Sequence, residues 1–271
     1  MGEFTAEWLA LREPADARAR SARLASLVVD RLAHVDELHI LDLATGTGAN
    51  VRYLAEYLSG RPQWLLVDSD RALLAEAMVR MGSRGRMETR SVDLAFAFDT
   101  APGDIGDICA GRDLVTASAL LDLVSERWLE ALARRCRDAG AAVLFALTYN
   151  GDVRCSPAEP EDDAVRELVN RHQRIDKGFG VALGPAASET AARVFAALGY
   201  DVQRERSDWV LDADANDLQR QLIEGWADAA GAIAPEQSVA LHGWRSRRLA
   251  HVSAGRSRLV VGHDDLAAWL E

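Results

Sequence analysis

A chain of 271 residues, 49% hydrophobic and 27% charged, carries enough apolar material for one large domain and does not have the composition of a disordered segment. Its formal net charge of −11 argues against a nucleic-acid binder, because phosphate neutralisation needs a basic face. No apolar run approaches the ~20 residues of a membrane-spanning helix, and acids sit where a secretory signal would be basic and then apolar, so the cytoplasm is the expected compartment. Cys109, Cys136 and Cys155 are odd in number and far apart, which points to neither a disulfide framework nor a zinc knuckle. The histidines show no metal-ligand spacing, and no metal site is expected.

Taken in chain order, the pattern predicts a leading amphipathic helix over residues 15–33, with Pro14 in its first turn and Ala22, Leu24, Leu27, Val28 and Leu32 on one face. Strand, turn and helix then repeat. An apolar run over 38–44 precedes a helix through Val51, Leu54 and Leu58 that stops at Gly60. A strand over 63–68 precedes a helix from Asp70 through Leu73, Leu74 and Met78. A weaker strand ends in SVDL (91–94). A strand over 113–119 precedes a helix through Trp128, Leu132 and Cys136 capped near Gly140, and 141–148 is almost wholly apolar. Runs of that kind are buried parallel strands covered by helices on both faces, so the fold class is α/β, open and doubly wound. After Tyr149 the alternation loosens into a loop, a helix and a loop. It returns with a helix from Pro185 stopped by Gly199, a strand over 200–211, two helical patterns, and a closing strand over 257–262. His263, Asp264 and Asp265 read as the start of a helix after it. The expected organisation is one domain over 1–271 with a helical N-terminal extension over 1–35, a lid insertion over 150–185 and a helical insertion over 213–256. In open α/β sheets ligands bind at the carboxyl edge, and these insertions lie near that edge or its flank.

The stretch ILDLATGTGANV (40–51) is the most specific signal. A dinucleotide fold wants G-x-G-x-x-G after its first strand, and the third position here is Val51; a phosphate loop of the type G-x-x-x-x-G-K-[ST] is absent. An acid followed by small residues at alternate positions resembles the first motif of the class I S-adenosylmethionine-dependent methyltransferases, with Asp42, Ala44, Gly46 and Gly48 in those places and Ala44 standing for the first glycine. The resemblance runs in order over 38–202 and takes in the closing strand near Leu259. It implies a Rossmann-like seven-stranded sheet of order 3-2-1-4-5-7-6 with the last strand antiparallel, and S-adenosylmethionine as cofactor, leaving S-adenosylhomocysteine as product. It implies that Asp68 accepts the ribose hydroxyls, that Asp93, with Leu94 beside it, lies at the adenine, that Ser118 lies where the fourth strand meets cofactor and substrate, and that Arg20 reaches the cofactor carboxylate. Each residue also has a plain reading: Asp68 and Asp70 as helix caps, Asp93 as a turn acid, Arg20 as a surface arginine like Arg18 and Arg23.

On the acceptor side, TASALLDLVSERW (116–128) lacks the [DNS]-P-P-[YFW] of relatives that methylate base amines or glutamine. With the negative charge, this points to a small-molecule acceptor, with no nucleic acid and no membrane as partner and the oligomeric state open. Asp122 is a base or a helix-capping acid. Tyr149 lines the pocket or packs. Val165, Leu168, Val169 and His172 share a helical face, which makes His172 a core histidine or a base aimed at the site. Arg171, Arg174 and Lys177 beside Phe179 read as a clamp for an anionic acceptor, or as a solvated helix end where cations suit the dipole. Trp209, Trp226 and Trp244 are core or an aromatic wall. The expected activity is methyl transfer to oxygen or nitrogen of a small anionic metabolite. The rivals are a nicotinamide-dependent oxidoreductase and a non-catalytic nucleoside-binding scaffold or sensor.

Overall fold

The computed structural model describes residues 5–82, 86–96 and 108–271; the first four residues of the N-terminal extension lie outside these. Two helices, α1 (Ala6–Ala19) and α2 (Ala22–Leu32), lead into β1 (His39–Leu43), α3 (Ala49–Ala55), β2 (Gln63–Asp68), α4 (Arg71–Met81), β3 (Arg86–Ser91), β4 (Leu114–Ser118), α5 (Glu126–Ala139) and β5 (Ala142–Ser156). Then come α6 (Asp162–His172), α7 (Ala187–Ala197), β6 (Asp201–Arg206), β7 (Trp209–Leu211), α8 (Asn216–Ile233), α9 (Ser238–Ser253) and β8 (Arg258–Trp269). The sheet order is β3-β2-β1-β4-β5-β8-β6, with β8 antiparallel to both neighbours and β7 pairing with β8 alone. This is the expected doubly wound order, the closing strand being the eighth because residues 200–211 form two strands.

Successive side chains of a strand point to opposite faces, and both faces here are apolar. Ile40, Trp64 and Leu66 pack with α2, α3 and α4 through Leu24, Val28, Val51, Leu54, Leu74 and Met81. Leu41, Leu43, Leu65 and Val67 pack on the other face with α5 and α7 through Leu129, Leu132, Val194 and Phe195. Asp42 lies between Leu41 and Leu43 in sequence and so points to the α2 and α3 face, the one charged position in an otherwise apolar β1 core run. Register aligns Leu43 with Val67 and with Ala117. Ala44, Asp68 and Ser118 therefore emerge together at the carboxyl edge.

Four expectations need correction. The leading helix is two helices: Pro14 lies inside α1, and the chain breaks at Arg20, where the Ser21 hydroxyl takes over as cap of α2 by accepting from the Leu24 N–H at 3.0 Å. The periodicity missed α1 because its buried residues are Arg12, Ala15 and Asp16, a polar face. The chain does not leave the sheet at Tyr149; β5 continues to Ser156, with register shifts between Phe145 and Thr148 and between Tyr149 and Val153 that bend it as bulges do. Residues 200–211 break at Ser207 and Asp208, where the Ser207 N–H donates to the His263 carbonyl at 2.9 Å and the His263 N–H to Asp208 Oδ1 at 3.2 Å. Finally, His263, Asp264 and Asp265 do not begin a helix but continue β8, with Tyr149 opposite His263 and Thr148 opposite Asp264. Asp265 is tolerated inside because its carboxylate accepts from the Leu147 N–H at 2.7 Å and the Ser21 N–H at 2.8 Å.

The outer halves of β5 and β8 carry a second core. Val165, Leu168, Val169, Trp209, Leu211, Ile223, Trp244, Val252 and Leu259 join α6, β7, α8 and α9 there, and Trp209 and Trp244 are core, with Trp226 packed against them. A polar seam crosses it. The fully buried Arg248 pairs with Asp162, which also accepts from Trp244 Nε1 at 2.8 Å. Among the described residues no helix is long and apolar enough to cross a membrane, and no group of three His, Cys, Asp or Glu is placed to hold a metal.

Candidate functional site

The turn from β1 to α3 passes Ala44, Gly46 and Gly48 with φ of 51°, 55° and 81°. Left-handed backbone is strained for alanine by roughly 1–2 kcal/mol and free for glycine. Three of its N–H groups are already engaged. Thr45 N donates to the Val67 carbonyl at 3.1 Å, Gly48 N to the Thr45 carbonyl at 2.9 Å, and Gly46 N to Asp68 Oδ2 at 2.8 Å. The other Asp68 oxygen accepts from the Asp70 N–H at 2.9 Å, while Asp70, and not Asp68, caps α4 through the Ala72 and Leu73 N–H groups. A carboxylate offers about four lone-pair sites, so Asp68 keeps room for ligand hydroxyls. Burial raises its pKa above the ordinary carboxylate value, against the N–H groups it accepts from.

Gly46 has little space beside it: a Cβ there would stand 3.0 Å from Leu9 Cδ1 of α1. Gly46→Ala should therefore cost about 1–2 kcal/mol in urea unfolding, from the left-handed backbone and from moving Leu9. Full wild-type stability in that variant would contradict this geometry.

Below the loop runs a buried polar row. Asn50 Nδ2 donates to Asp42 Oδ1 at 2.7 Å and to Thr116 Oγ1 at 3.0 Å, and its Oδ1 accepts from Arg20 Nη1. Arg20 Nη2 donates to Ser118 Oγ at 2.9 Å, and the guanidinium lies over the Tyr53 ring, 5.1 Å from its centroid. Burial pushes Asp42 up from 3.8 to about 6, opposed by Asn50 and Thr45, and lowers Arg20, opposed by Asp16 and Asp265. Asp42 Oδ2 and Arg20 Nε have no partner among the described residues. Of the three neighbouring arginines only Arg20 turns inward, at 6% exposure; Arg18 faces Asp214 and Arg23 faces Glu205 in solvent. A cleft of about 260 Å³ opens beside it, lined by Glu13, Arg20, Ala49, Arg52 and Tyr53 among others. Sequence reasoning missed Asn50, whose signal is an amide at the second position of the helix that follows the glycines.

Asp93 is exposed, and its Oδ1 accepts from the Ala95 N–H at 3.0 Å. Leu94 is buried in the core with α5, its carbonyl accepting from Trp128 Nε1 at 2.7 Å.

Past β4 the carboxyl of Asp122 is buried, its Oδ1 without a partner among the described residues. Burial pushes it from 3.8 to about 6, against its own backbone, Arg12, the Tyr149 backbone and Lys177. The stretch 170–185 is stitched over it: Gly184 N donates to the Asp122 carbonyl at 3.0 Å and Leu183 N to the Val124 carbonyl at 2.8 Å. Lys177 Nζ stands 3.4 Å from His172 Nδ1, and burial lowers both groups. Tyr149 Oη donates to Asn170 Oδ1 at 2.8 Å. Asp122, Tyr149, His172 and Lys177 are thus drawn together, whereas Arg171 and Arg174 are exposed and Phe179 packs edge-on against Trp128, ring centroids 5.6 Å apart.

A neighbouring buried group was not foreseen. Arg12 Nε donates to Asp16 Oδ2 at 3.0 Å, Trp209 Nε1 donates to Asp16 Oδ1 at 3.0 Å, and Arg12 lies over Trp209. The His263 ring, 4.9 Å from Trp209 and 6.2 Å from Tyr149, completes it.

No family model matches this chain, and no curated protein matches it. Several solved structures are similar to it. A putative methyltransferase from Bacillus halodurans has 13% identity, with 92% of this chain and 97% of that one covered and a TM-score of 0.49. Phosphoethanolamine N-methyltransferase 2 of Haemonchus contortus, in complex with S-adenosyl-L-methionine, has 15% identity and a TM-score of 0.46; 99% of this chain is covered, and it spans 58% of the length of that enzyme. The [4+2]-cyclase SpnF has 17% identity, with 92% and 80% covered and a TM-score of 0.43. The likeness is in the path of the chain; the chemistry of the site rests on its own residues.

Proposed function

We propose that this protein transfers a methyl group from S-adenosylmethionine to an oxygen or nitrogen of a small, soluble, anionic metabolite. The observation that carries the reading is the state of the glycine loop. Three of its N–H groups, those of Thr45, Gly46 and Gly48, are spent on Val67, Asp68 and Thr45, which leaves fewer donors for a phosphate and supports a ligand without one. The motif Asp42, Ala44, Gly46, Gly48 and the placement of Asp68 at the end of β2 support the same cofactor. Val51, fully buried where a dinucleotide fold has its third glycine, speaks against a nicotinamide.

The residues fit such a cofactor. Asp68 has lone pairs left for ribose hydroxyls, and Asp42 Oδ2 and Arg20 Nε are buried polar atoms awaiting partners. When bound, the cofactor supplies a methyl group on positively charged sulfur, a leaving group already activated. The chain's own work is to orient the acceptor, which is worth several kcal/mol, and to hold its proton. Asp122 is the base we assign, because its raised pKa brings it close to working pH. Lys177, with His172 beside it, supports an anionic group on the acceptor. The test is mass spectrometry after incubation with methyl-deuterated S-adenosylmethionine and fractions of a metabolite extract. A labelled product that forms only with active protein supports the reading; no labelled product from any fraction counts against it.

A further inference from the structure

Opposite buried charges attract, and a direct pair between Asp42 and Arg20 would satisfy both and leave nothing for a ligand. Asn50 stands between them, 5% exposed. It donates to Asp42, accepts from Arg20, and is fixed from β4 by Thr116, whose hydroxyl donates to the Leu144 carbonyl at 2.7 Å. Three of the amide's four hydrogen bonds are used in this way. Ser118 and the Tyr53 ring hold the far side of the guanidinium. What remains open is one atom of each charge, Asp42 Oδ2 and Arg20 Nε, with Arg20 at the wall of the cleft. A carboxylate and a guanidinium kept one amide apart complement an ammonium and a carboxylate borne on the same carbon.

We propose that Asn50 is a positioning residue that holds Asp42 and Arg20 apart as a receptor for an α-amino-acid zwitterion, the head group of the cofactor. This rests on the cofactor reading above. That reading already brings Arg20 to the amino-acid end of the cofactor; what is added is that the spacing of Arg20 and Asp42 is set by an amide that touches neither ligand group.

The experiment is calorimetric titration of wild type, Asn50→Ala and Asn50→Asp with S-adenosylhomocysteine and with 5′-methylthioadenosine, which keeps the nucleoside and sulfur and lacks the amino-acid part. Wild type should prefer S-adenosylhomocysteine by about tenfold to a hundredfold, the range expected for hydrogen bonds to charged groups. Both variants should lose most of that preference while their affinity for 5′-methylthioadenosine holds, which also reports that they fold. Asn50→Asp keeps the acceptor for Arg20 but withdraws the donors from Asp42. Equal wild-type affinity for the two ligands would overturn the receptor and leave the nucleoside site standing. No binding of either would overturn the cofactor reading with it. Parallel weakening, no change, or loss of cooperative melting in both variants would overturn the role of Asn50.

Discussion

Asp122→Asn is expected to lower turnover by about a hundredfold to ten-thousandfold while leaving the protein more stable at pH 8. The two effects share a cause. The Asp122 carboxyl is buried, one oxygen lacks a partner, and its pKa rises from 3.8 to about 6. A carboxyl with a raised folded pKa favours the folded state below the unfolded value and loses that advantage as pH climbs to the folded one. Ionisation above pH 6 therefore carries a penalty on the order of 3 kcal/mol. Asparagine keeps the shape without the charge but gives up attraction to Arg12 and Lys177, so a net gain of about 1–2 kcal/mol is expected in urea unfolding at pH 8, shrinking toward pH 4. The acid limb of the pH–rate profile near 6 should vanish with the base. Lower stability at pH 8, or unchanged release of S-adenosylhomocysteine with an accepted substrate, would contradict this account.

His263→Phe is expected to make the protein more acid-resistant. The ring is buried, and desolvation, reinforced by Arg12, pushes its pKa from 6.5 to about 3, opposed by its contact with the Val261 carbonyl and by Asp208. A depressed histidine is held neutral in the fold while the unfolded chain takes a proton, so stability falls as pH drops from about 6.5 toward 3. By pH 4.5 the loss is about 3 kcal/mol. Asp42 and Asp122 work the other way over much of that window, gaining stability as they protonate in the fold. The wild type is a balance of the two. Removing the imidazole leaves the carboxyl groups to set the slope: the variant should be about 1 kcal/mol weaker at pH 7, for the hydrogen bond lost to the Val261 carbonyl, and stronger than wild type at pH 4.5. Parallel stability curves would show that the ring does not exclude protons in the fold.

Where strand faces are apolar on both sides, as in β1, β2, β4 and the inner half of β5, the alternation was legible, and the sheet order came with the resemblance to the methyltransferase family. It failed where burial is polar. Residues 263–265 look like a helix start until Asp265 meets Leu147 and Ser21, partners more than a hundred residues away. The buried face of α1, Arg12 and Asp16, reads as a solvated charge pair for the same reason. In the candidate site, Asp42, Gly46 and Asp68 were legible through the resemblance to the class I methyltransferase motif, whose positions lie at set spacings along the sequence. Asn50 and His263 were not readable, since their roles depend on Thr116, Arg20, Tyr149 and Trp209, which only the tertiary fold brings to them.

The central claim is that the loop between β1 and α3 holds an adenosyl-sulfur ligand against Asp68. Its most direct test is the melting temperature of wild type and Asp68→Ala with S-adenosylmethionine, S-adenosylhomocysteine, NAD and NADP. A ligand at about a hundred times its dissociation constant adds about 2.7 kcal/mol, several degrees for a chain of this size. The account predicts stabilisation by the two adenosyl-sulfur ligands only, lost or sharply reduced in Asp68→Ala. Stabilisation by a nicotinamide dinucleotide, or by none of the four, would contradict it.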